Sequence, residues 1–305
     1  MAGLPVRSCS SDERRVKVID LFCGAGGSTL GFKMAGFDVI LGVDIDPIAL
    51  SSYNLNHPEI ETWQMDILDL SADKLPEADV VIGSTPCTEF SLAKRVRTYD
   101  MTLTNHFLQI VQEHKPKYWI LENVPSIAWY LPFGTPYNLL CAANYGVPQQ
   151  RLRCIAGEYP YPLPTHAKHP QRTLDDRELL PWVKFGTIVY PGGAKIVSKD
   201  GIAGAIRRAN QLGRKKCSFA LHVLDEEDVP FTLTATEFHG LRAPSTIIWD
   251  QGKLRRLSWL ECVRCQSFPD DYIFKGTLDQ RYHQLGDAVP PLLARAIAEA
   301  ILRDQ

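Results

Sequence analysis

No stretch of the 305-residue chain runs to 18 consecutive apolar residues, so nothing in it reads as a membrane-spanning helix. No apolar segment near the start resembles a secretory leader. Both absences point to a soluble chain that stays in the cytoplasm, nucleoid-associated if the source is prokaryotic. Cysteine is sparse: eight residues, at positions 9, 23, 87, 141, 154, 217, 262 and 265. Their spacing matches no disulfide framework, which excludes a small stapled scaffold. Cys262-Val-Arg-Cys265 is a C-x-x-C without a second pair, and packing on one face of a helix explains it better than zinc. Net charge is low, only −2, which excludes a uniformly basic polyanion binder. The dinucleotide fingerprint G-x-G-x-x-G is missing as well, so an adenosine-bearing ligand without a pyrophosphate fits the glycines better.

What the chain has is apolar mass and uneven charge. Hydrophobic residues make up 45%, enough for a sizeable core. Residues 1–150 carry a net of −6 and residues 225–305 a net of −4. Residues 151–224 hold thirteen basic and five acidic side chains, a net of +8. A single basic segment is what a polyanion footprint requires, although a solvated lysine-rich face has the same composition. Length suggests one large domain or two. Apolar strands and helices alternate to about Gly157, the pattern of a mostly parallel sheet with helices on both faces.

Several strands in this alternation end in chemistry-bearing residues. Val16–Phe22 is the first strand, followed by the Gly24-Ala-Gly26-Gly27 turn and a helix that Ser28 or Thr29 is placed to cap. Val39–Val43 ends in Asp44, where an acidic side chain can hold two ribose hydroxyls. A third segment ends at Met65-Asp66-Ile67, able to frame an adenine. Asp79–Ile82 reads as a buried strand ended by Gly83, with Pro86 fixing the turn that presents Cys87. A lone cysteine is ordinarily a small packed apolar residue. The strand-end position instead exposes this thiol where open α/β sheets hold their ligands. Tyr118–Val124 ends in Glu122, a carboxyl group expected to be desolvated and so raised in pKa. In Asn144–Arg153 the side chains of Arg151 and Arg153 share a face, because a strand alternates with period two. Their forks suit a phosphate or a carbonyl oxygen.

In this order the motifs resemble those of the DNA (cytosine-5) methyltransferases, over nearly the whole chain. The cofactor loop is matched by Asp20–Gly27, the Pro-Cys nucleophile by Pro86-Cys87, Glu-Asn-Val by Glu122–Val124 and Gln-x-Arg-x-Arg by Gln149–Arg153. The Arg…Glu…Arg…Gln…Phe-Pro segment is met in Arg256–Pro269 and the carboxyl-terminal Gly-Asn-Ala-Val-Pro-Pro in Gly286–Pro291. Each motif is modest alone; six in the right order are very specific. The resemblance implies an S-adenosylmethionine-dependent, Rossmann-like fold with a small β-rich target-recognition domain. The catalytic domain would comprise residues 1–159 and 282–305, and the recognition domain residues 160–281. It implies methyl transfer from S-adenosylmethionine to carbon 5 of a cytosine flipped out of double-stranded DNA. Cys87 would add to carbon 6, with Glu122, Arg151 and Arg153 as the other catalytic residues. Phe22, Gly24, Gly26, Gly27, Asp44, Ile45, Asp66, Ile67, Pro86, Asp287 and Ala288 would surround the cofactor. Ser91, Lys94, Arg95 and Arg97 would form a loop closing over DNA, and Arg214, Lys215 and Lys216 would add contacts from the recognition region. The implied enzyme is a monomer with no membrane partner, and the resemblance admits a companion restriction endonuclease.

Two departures from the family pattern stand out. Only 26 residues lie between Glu122 and Gln149, so the helix expected after Val124 should be missing or reduced to a turn around 126–136. The family's Asn is replaced by Asp287, which when ionised only accepts hydrogen bonds. Asp287 can hold a proton and mimic the amide, pair with a cation, or mark a changed donor pocket. Pairing with Arg281 or an arginine of Gln149–Arg153 is favoured.

Further along, Pro47–Asn56 reads as a helix begun by proline, and Leu103–Glu113 as a helix with one apolar face. Pro160–His169 reads as a linker, and Gly186–Tyr190, Phe231–Ala235 and Thr246–Trp249 as short strands. Leu257–Gln266 should be a helix begun at Ser258, and Pro291–Arg303 a final helix packed on the sheet. Three rival functions fit less well. A branch of the same family modifies a transfer RNA and carries a Cys-Phe-Thr that this chain lacks. A non-catalytic DNA-binding relative has no need of Cys87 and Glu122. A nucleotide-dependent oxidoreductase leaves Pro-Cys and Gln-x-Arg-x-Arg without a task.

Overall fold

The structure is a computed structural model that describes residues 15–86, 99–169, 171–173, 175–190, 196, 222–233, 246–250 and 253–305. At its centre is a seven-stranded sheet made from β1 (Lys17–Leu21), β2 (Asp38–Asp44), β3 (Glu61–Gln64), β4 (Val80–Ser84), β5 (Tyr118–Asn123), β6 (Tyr137–Cys141) and β7 (Leu152–Glu158). The strand order is β3-β2-β1-β4-β5-β7-β6. Pairs from β3 to β5 are parallel, and β7 runs antiparallel to both β5 and β6. The order reverses between β1 and β4, the switch point at which open α/β sheets leave a crevice beyond their carboxyl ends.

Side-chain alternation builds a core on each face of this sheet. Val18, Val80, Ile82 and Ile120 face one way and join Phe32, Leu293, Ile297 and Ile301. Ile19, Leu21, Val81 and Leu121 face the other way and join Phe107, Ile110 and Val111. The first layer comes from α1 (Gly27–Met34) and the last helix, α6 (Pro291–Arg303); the second comes from α3 (Thr102–His114). The final helix thus returns to the sheet, as its amphipathic pattern predicts. The helix α2 (Pro47–Asn56) begins with proline at its first turn, and the Asp46 side chain caps it by accepting from Ile48 N.

Three local expectations are corrected. Neither Ser28 nor Thr29 caps α1. Its N-cap is Gly26, in the left-handed region at φ 93°, while the Thr29 hydroxyl donates to buried Asp20 at 2.7 Å. Gly83 does not end its strand: it lies inside β4, paired with Leu21 and Leu121, and is glycine where a Cβ would sit 2.4 Å from the Phe107 ring. Residues 185–187 form a 3₁₀ turn where a strand is expected, since Phe185 folds inward against Leu224, Leu233 and Ile248. The remaining short runs fare unevenly. Thr246–Asp250 is a strand, β12, between β11 (His222–Leu224) and β13 (Lys253–Arg256). Phe231 makes only an isolated bridge to Gln150, and residues 234 and 235 lie outside the described residues.

The short connection after Glu122 behaves as its length dictates. Pro125–Trp129 forms a 3₁₀ turn, and the chain then enters β6 directly. Ile127 and Leu131 of this segment cover Cys154 on β7 in place of a full helix. In the linker, His166–Ala167 forms a short strand (β8) in a three-stranded sheet with β9 (Gln171–Arg172) and β10 (Glu178–Pro181). Helix α4 (Trp259–Cys265) starts at Ser258 with a reciprocal capping box to Glu261. Cys262 and Cys265 are both fully buried on it, packed in the cluster that holds Phe268 and Tyr272. Helix α5 (Leu278–Asp287) leads to the final helix.

Candidate active site

A cavity of about 590 Å³ opens at the carboxyl edge of the sheet, on the switch point. From the end of β1 come Phe22, Gly24 and Gly27; from β2, Asp44 and Ile45; from beyond β3, Asp66 and Ile67. Pro86 enters after β4, Glu122 at the end of β5, Arg151 and Arg153 at the start of β7, and Asp287 and Ala288 at the end of α5. Residues separated by up to 266 positions therefore share one space. Gly26 is different: it underlies the loop and does not line the cavity. Cys87, Ser91, Lys94, Arg95, Arg97, Arg214, Lys215 and Lys216 lie outside the described residues.

The adenosine side of the cavity is prepared by two carboxylates. The two oxygens of Asp44 accept from Gly24 N at 2.7 Å and Asp46 N at 2.9 Å. These bonds fix the carboxylate at the end of β2 and leave lone pairs toward the cavity. Burial raises the Asp44 pKa, against the lowering effect of its backbone hydrogen bonds. Asp66 uses one oxygen to cap the turn at Leu68 N, 3.0 Å away. Phe22, held at φ 60°, and Ile45 supply apolar surface next to these acids. Acceptors for ribose hydroxyls, apolar walls for a base and a glycine turn under them suit the nucleoside part of S-adenosylmethionine, and the volume falls in the range of small-molecule pockets.

The opposite side is built around Glu122. It is buried, and the Arg153 Nε lies 2.9 Å from its Oε1. Burial pushes the Glu122 pKa up; Arg153 and Arg151 pull it back, and Asp287 adds to the rise. The expected desolvation at this strand end is thus present, together with an ion pair that the sequence did not announce. The neighbouring Asn123 donates through Nδ2 to the Thr85 carbonyl at 2.9 Å and its hydroxyl at 3.0 Å. The Thr85 hydroxyl is also 3.2 Å from that of Thr104 on α3. These contacts fix the peptide entering Pro86, one residue before Cys87.

The two arginines share a face but are engaged differently. Arg151 donates to the carbonyls of Leu233 at 3.1 Å, Gly286 at 2.7 Å and Ala288 at 3.3 Å. It ties the start of β7 to the end of α5 and to the middle segment. Arg153 holds Glu122 and the Leu152 carbonyl. Gln149 extends the tie, donating to Cys265 O and accepting from Leu233 N at 2.9 Å.

The favoured environment of Asp287 is not found. Arg281 donates to Gly276 O, Arg151 is taken up by three carbonyls, and no ion pair to Asp287 is present among the described residues. The carboxyl group is exposed, but into the cavity, where surrounding protein raises its pKa; Arg151, His283 and Arg153 only partly oppose the rise. His283 and Gln284, one helical turn before Asp287, also line the cavity and were not among the sequence candidates. Helical spacing from Asp287 was the signal that could have found them. Ser28, Ser84, Thr85 and Val124 are further lining residues next to motif positions.

The chain is similar to known proteins over nearly its whole length. The family model for C-5 cytosine-specific DNA methylase matches residues 16–129 and 131–303. The type II methyltransferase M1.HphI of Haemophilus parahaemolyticus is 32% identical, covering 93% of this chain and 86% of that protein. M.XorII of Xanthomonas oryzae pv. oryzae is 30% identical, covering 93% and 84%. In fold, the chain is similar to a putative DNA modification methyltransferase from an Escherichia coli prophage, with TM-score 0.63, 23% identity and coverage of 94% and 99%. A Spodoptera frugiperda DNMT2 mutant gives TM-score 0.71, with 18% identity and coverage of 94% and 100%. With the family model spanning nearly its whole length, the chain belongs to the C-5 cytosine-specific DNA methylases and is an S-adenosylmethionine-dependent DNA (cytosine-5) methyltransferase.

Proposed function

We propose that Cys87, Glu122 and Arg153 carry the methyl transfer, with Arg151 holding the frame around them. The observation that carries this reading is the buried Glu122–Arg153 pair, 2.9 Å apart, in a cavity rimmed by Pro86. Carbon 5 of cytosine is a poor nucleophile. The Cys87 thiolate adds to carbon 6 and converts the ring to an enamine. Glu122, raised in pKa, donates a proton or hydrogen bond at ring nitrogen 3 and favours that addition. Arg153 keeps Glu122 oriented and presents its remaining donors to the ring oxygen. S-adenosylmethionine, when bound, supplies the methyl group as a sulfonium electrophile. Asp44 and Asp66 orient its nucleoside part, and Phe22 and Ile45 exclude water from it. Loss of the carbon 5 proton and of the Cys87 sulfur restores the ring. The thiol attacks from above the ring plane, so the base must leave the duplex.

Residues 160–281 would form the recognition domain, with Arg214, Lys215 and Lys216 on DNA and Ser91, Lys94, Arg95 and Arg97 in the loop beside the nucleophile. The type II relatives support a role as the modification half of a restriction–modification pair, beside a companion endonuclease. No helix among the described residues is long and apolar enough to cross a membrane; a cytoplasmic monomer acting on duplex DNA is part of the proposal.

The test is a duplex carrying 5-fluorocytosine in the target site, found by bisulfite sequencing of DNA from expressing cells. The wild-type enzyme should form a covalent complex with it. Cys87→Ala should fold, form no complex and show no turnover. Measurable turnover by Cys87→Ala of unchanged stability would rule out the mechanism. A preference for transfer RNA over duplex DNA would favour the RNA-modifying branch instead.

A further inference from the structure

The cofactor loop rests on a buried polar chain that none of the motifs contains. The Tyr272 hydroxyl donates to the Ala25 carbonyl at 2.5 Å. Nε2 of His57 lies 3.0 Å from the same hydroxyl. On the other side of the imidazole, Nδ1 lies 3.1 Å from Nζ of Lys33, which in turn pairs with Glu59. Both His57 and Tyr272 are buried. A phenol has one proton to give, and here it goes to Ala25. The His57–Tyr272 bond must then be donated by Nε2–H, which leaves the Nδ1 lone pair to accept from Lys33. Burial, with the Lys33 charge, pushes His57 down to about 4, so it stays neutral in this role.

The contact is made where the loop has least freedom. Gly26 sits at φ 93°, and a Cβ on it would lie 2.8 Å from both His57 Nε2 and the Tyr272 hydroxyl. Gly26 N also closes the turn onto Cys23 O at 2.9 Å. The peptide between Ala25 and Gly26 is therefore pinned from below by Tyr272 and from within by the turn. Ala25, Gly27 and Ser28, on either side of it, line the cavity. Tyr272 is itself anchored: the next residue, Ile273, exchanges two hydrogen bonds with Asn56 at 2.8 and 2.9 Å. The bland alternative is that Tyr272 only fills space among Phe268 and Phe274, whose rings lie 4.7 and 5.3 Å away. That alternative needs the ring and not the hydroxyl.

We infer that Tyr272 and His57 are positioning residues for S-adenosylmethionine. Tyr272 fixes the Ala25 carbonyl, His57 fixes the Tyr272 hydroxyl, and together they hold the floor of the cofactor cavity in its binding shape before the ligand arrives. Holding a loop in its bound shape raises affinity by removing an ordering penalty. Leaving the Ala25 carbonyl without its donor both frees the loop and strands a polar group.

The test is calorimetric binding of S-adenosylmethionine to the full chain without DNA. Tyr272→Phe keeps the ring and removes the hydroxyl, and should weaken binding about tenfold, the scale of one buried hydrogen bond. Affinity for duplex DNA should stay within about twofold of wild type, as should kcat at saturating cofactor. His57→Phe should weaken cofactor binding less, by about threefold, and should add nothing in the Tyr272→Phe background, because its partner is then gone. A Tyr272→Phe affinity within about twofold of wild type, whatever its melting temperature, overturns the inference. Additive losses in the double variant overturn it as well. Should Tyr272→Phe fail to fold, His57→Phe decides alone, and unchanged affinity there counts against it.

Discussion

Glu122 and Asp287 are two carboxyl groups raised in pKa in one cavity, yet they call for opposite experiments. Glu122 is buried with a cation 2.9 Å away. Glu122→Gln keeps the shape and removes the proton. The rate of methyl transfer should fall by about 2 kcal/mol or more of transition-state stabilisation, while DNA affinity changes little. A near-normal rate with lost stability would make the residue structural. Asp287 has no cation paired to it among the described residues, so Asp287→Asn should not damage the fold. The sign follows from linkage. A carboxyl group whose folded pKa lies above its unfolded value binds its proton more tightly when folded. Its favourable contribution is present in acid and is lost as pH rises from the ordinary carboxylate value through the raised one. Above that window the ionised group is a burden that asparagine lacks. Asp287→Asn should therefore be at least as stable as wild type at pH 7 to 8, with the gap closing toward pH 4. Denaturant unfolding across that range checks it, and a variant less stable at neutral pH would bring back the ion pair. The aspartate in place of the family's asparagine was legible in the sequence, but its surroundings were not, because Arg151 reaches carbonyls 82 and 135 residues away.

At the scale of the element, the strands were the legible part. Apolar runs leading to Asp44 or Glu122 mark both the buried length of a strand and its ligand-facing end. Pro47 and Ser258 mark helix starts for equally local reasons. The errors came where distant packing decides. Gly83 reads as a terminator until its pairing with Leu21 and Leu121 is seen, and Gly186–Tyr190 reads as a strand until Phe185, just before it, turns into its cluster. Gly31, on which the local pattern is silent, depends on distant packing in the same way. On its own helix, an alanine there should gain about 1 kcal/mol in helix propensity. Against α6, the new Cβ would lie 2.4 Å from the Pro291 carbonyl and 2.5 Å from the Ala294 Cβ. Neither is the end of a flexible chain, so one helix must shift away from the other. Overpacking of this kind costs about 1–3 kcal/mol and outweighs the propensity gain. Gly31→Ala should thus be destabilised in urea, with the denaturant slope unchanged. A stabilised variant would mean that the two helices separate freely.

Across the whole molecule, the cavity is assembled from the first half of the chain and the last thirty residues, with the basic segment inserted between them. Ser52 and Asn56 on α2 bind Lys275 N, Gln284 and Ile273, so the returning chain is fastened to the cofactor half both just before α5 and within it. Arg151 and Gln149 make a second fastening to Leu233, just beyond the basic segment. Along the sequence, the +8 of residues 151–224 stands between two acidic segments, and Arg151 and Arg153 at its start reach into the cavity. Field and footprint then make separate predictions. If charge acted only at long range, removing any two lysines would slow association and leave the number of released counterions unchanged. If Lys215 and Lys216 touch phosphates, neutralising both as Lys→Gln should weaken binding to every duplex alike. It should also flatten the log–log salt dependence by about 0.9 per lost contact. Binding isotherms on a target and a non-target duplex between 50 and 300 mM salt distinguish the two. An unchanged slope would place these lysines off the DNA, and a loss confined to the target duplex would make them readers of bases instead of phosphates.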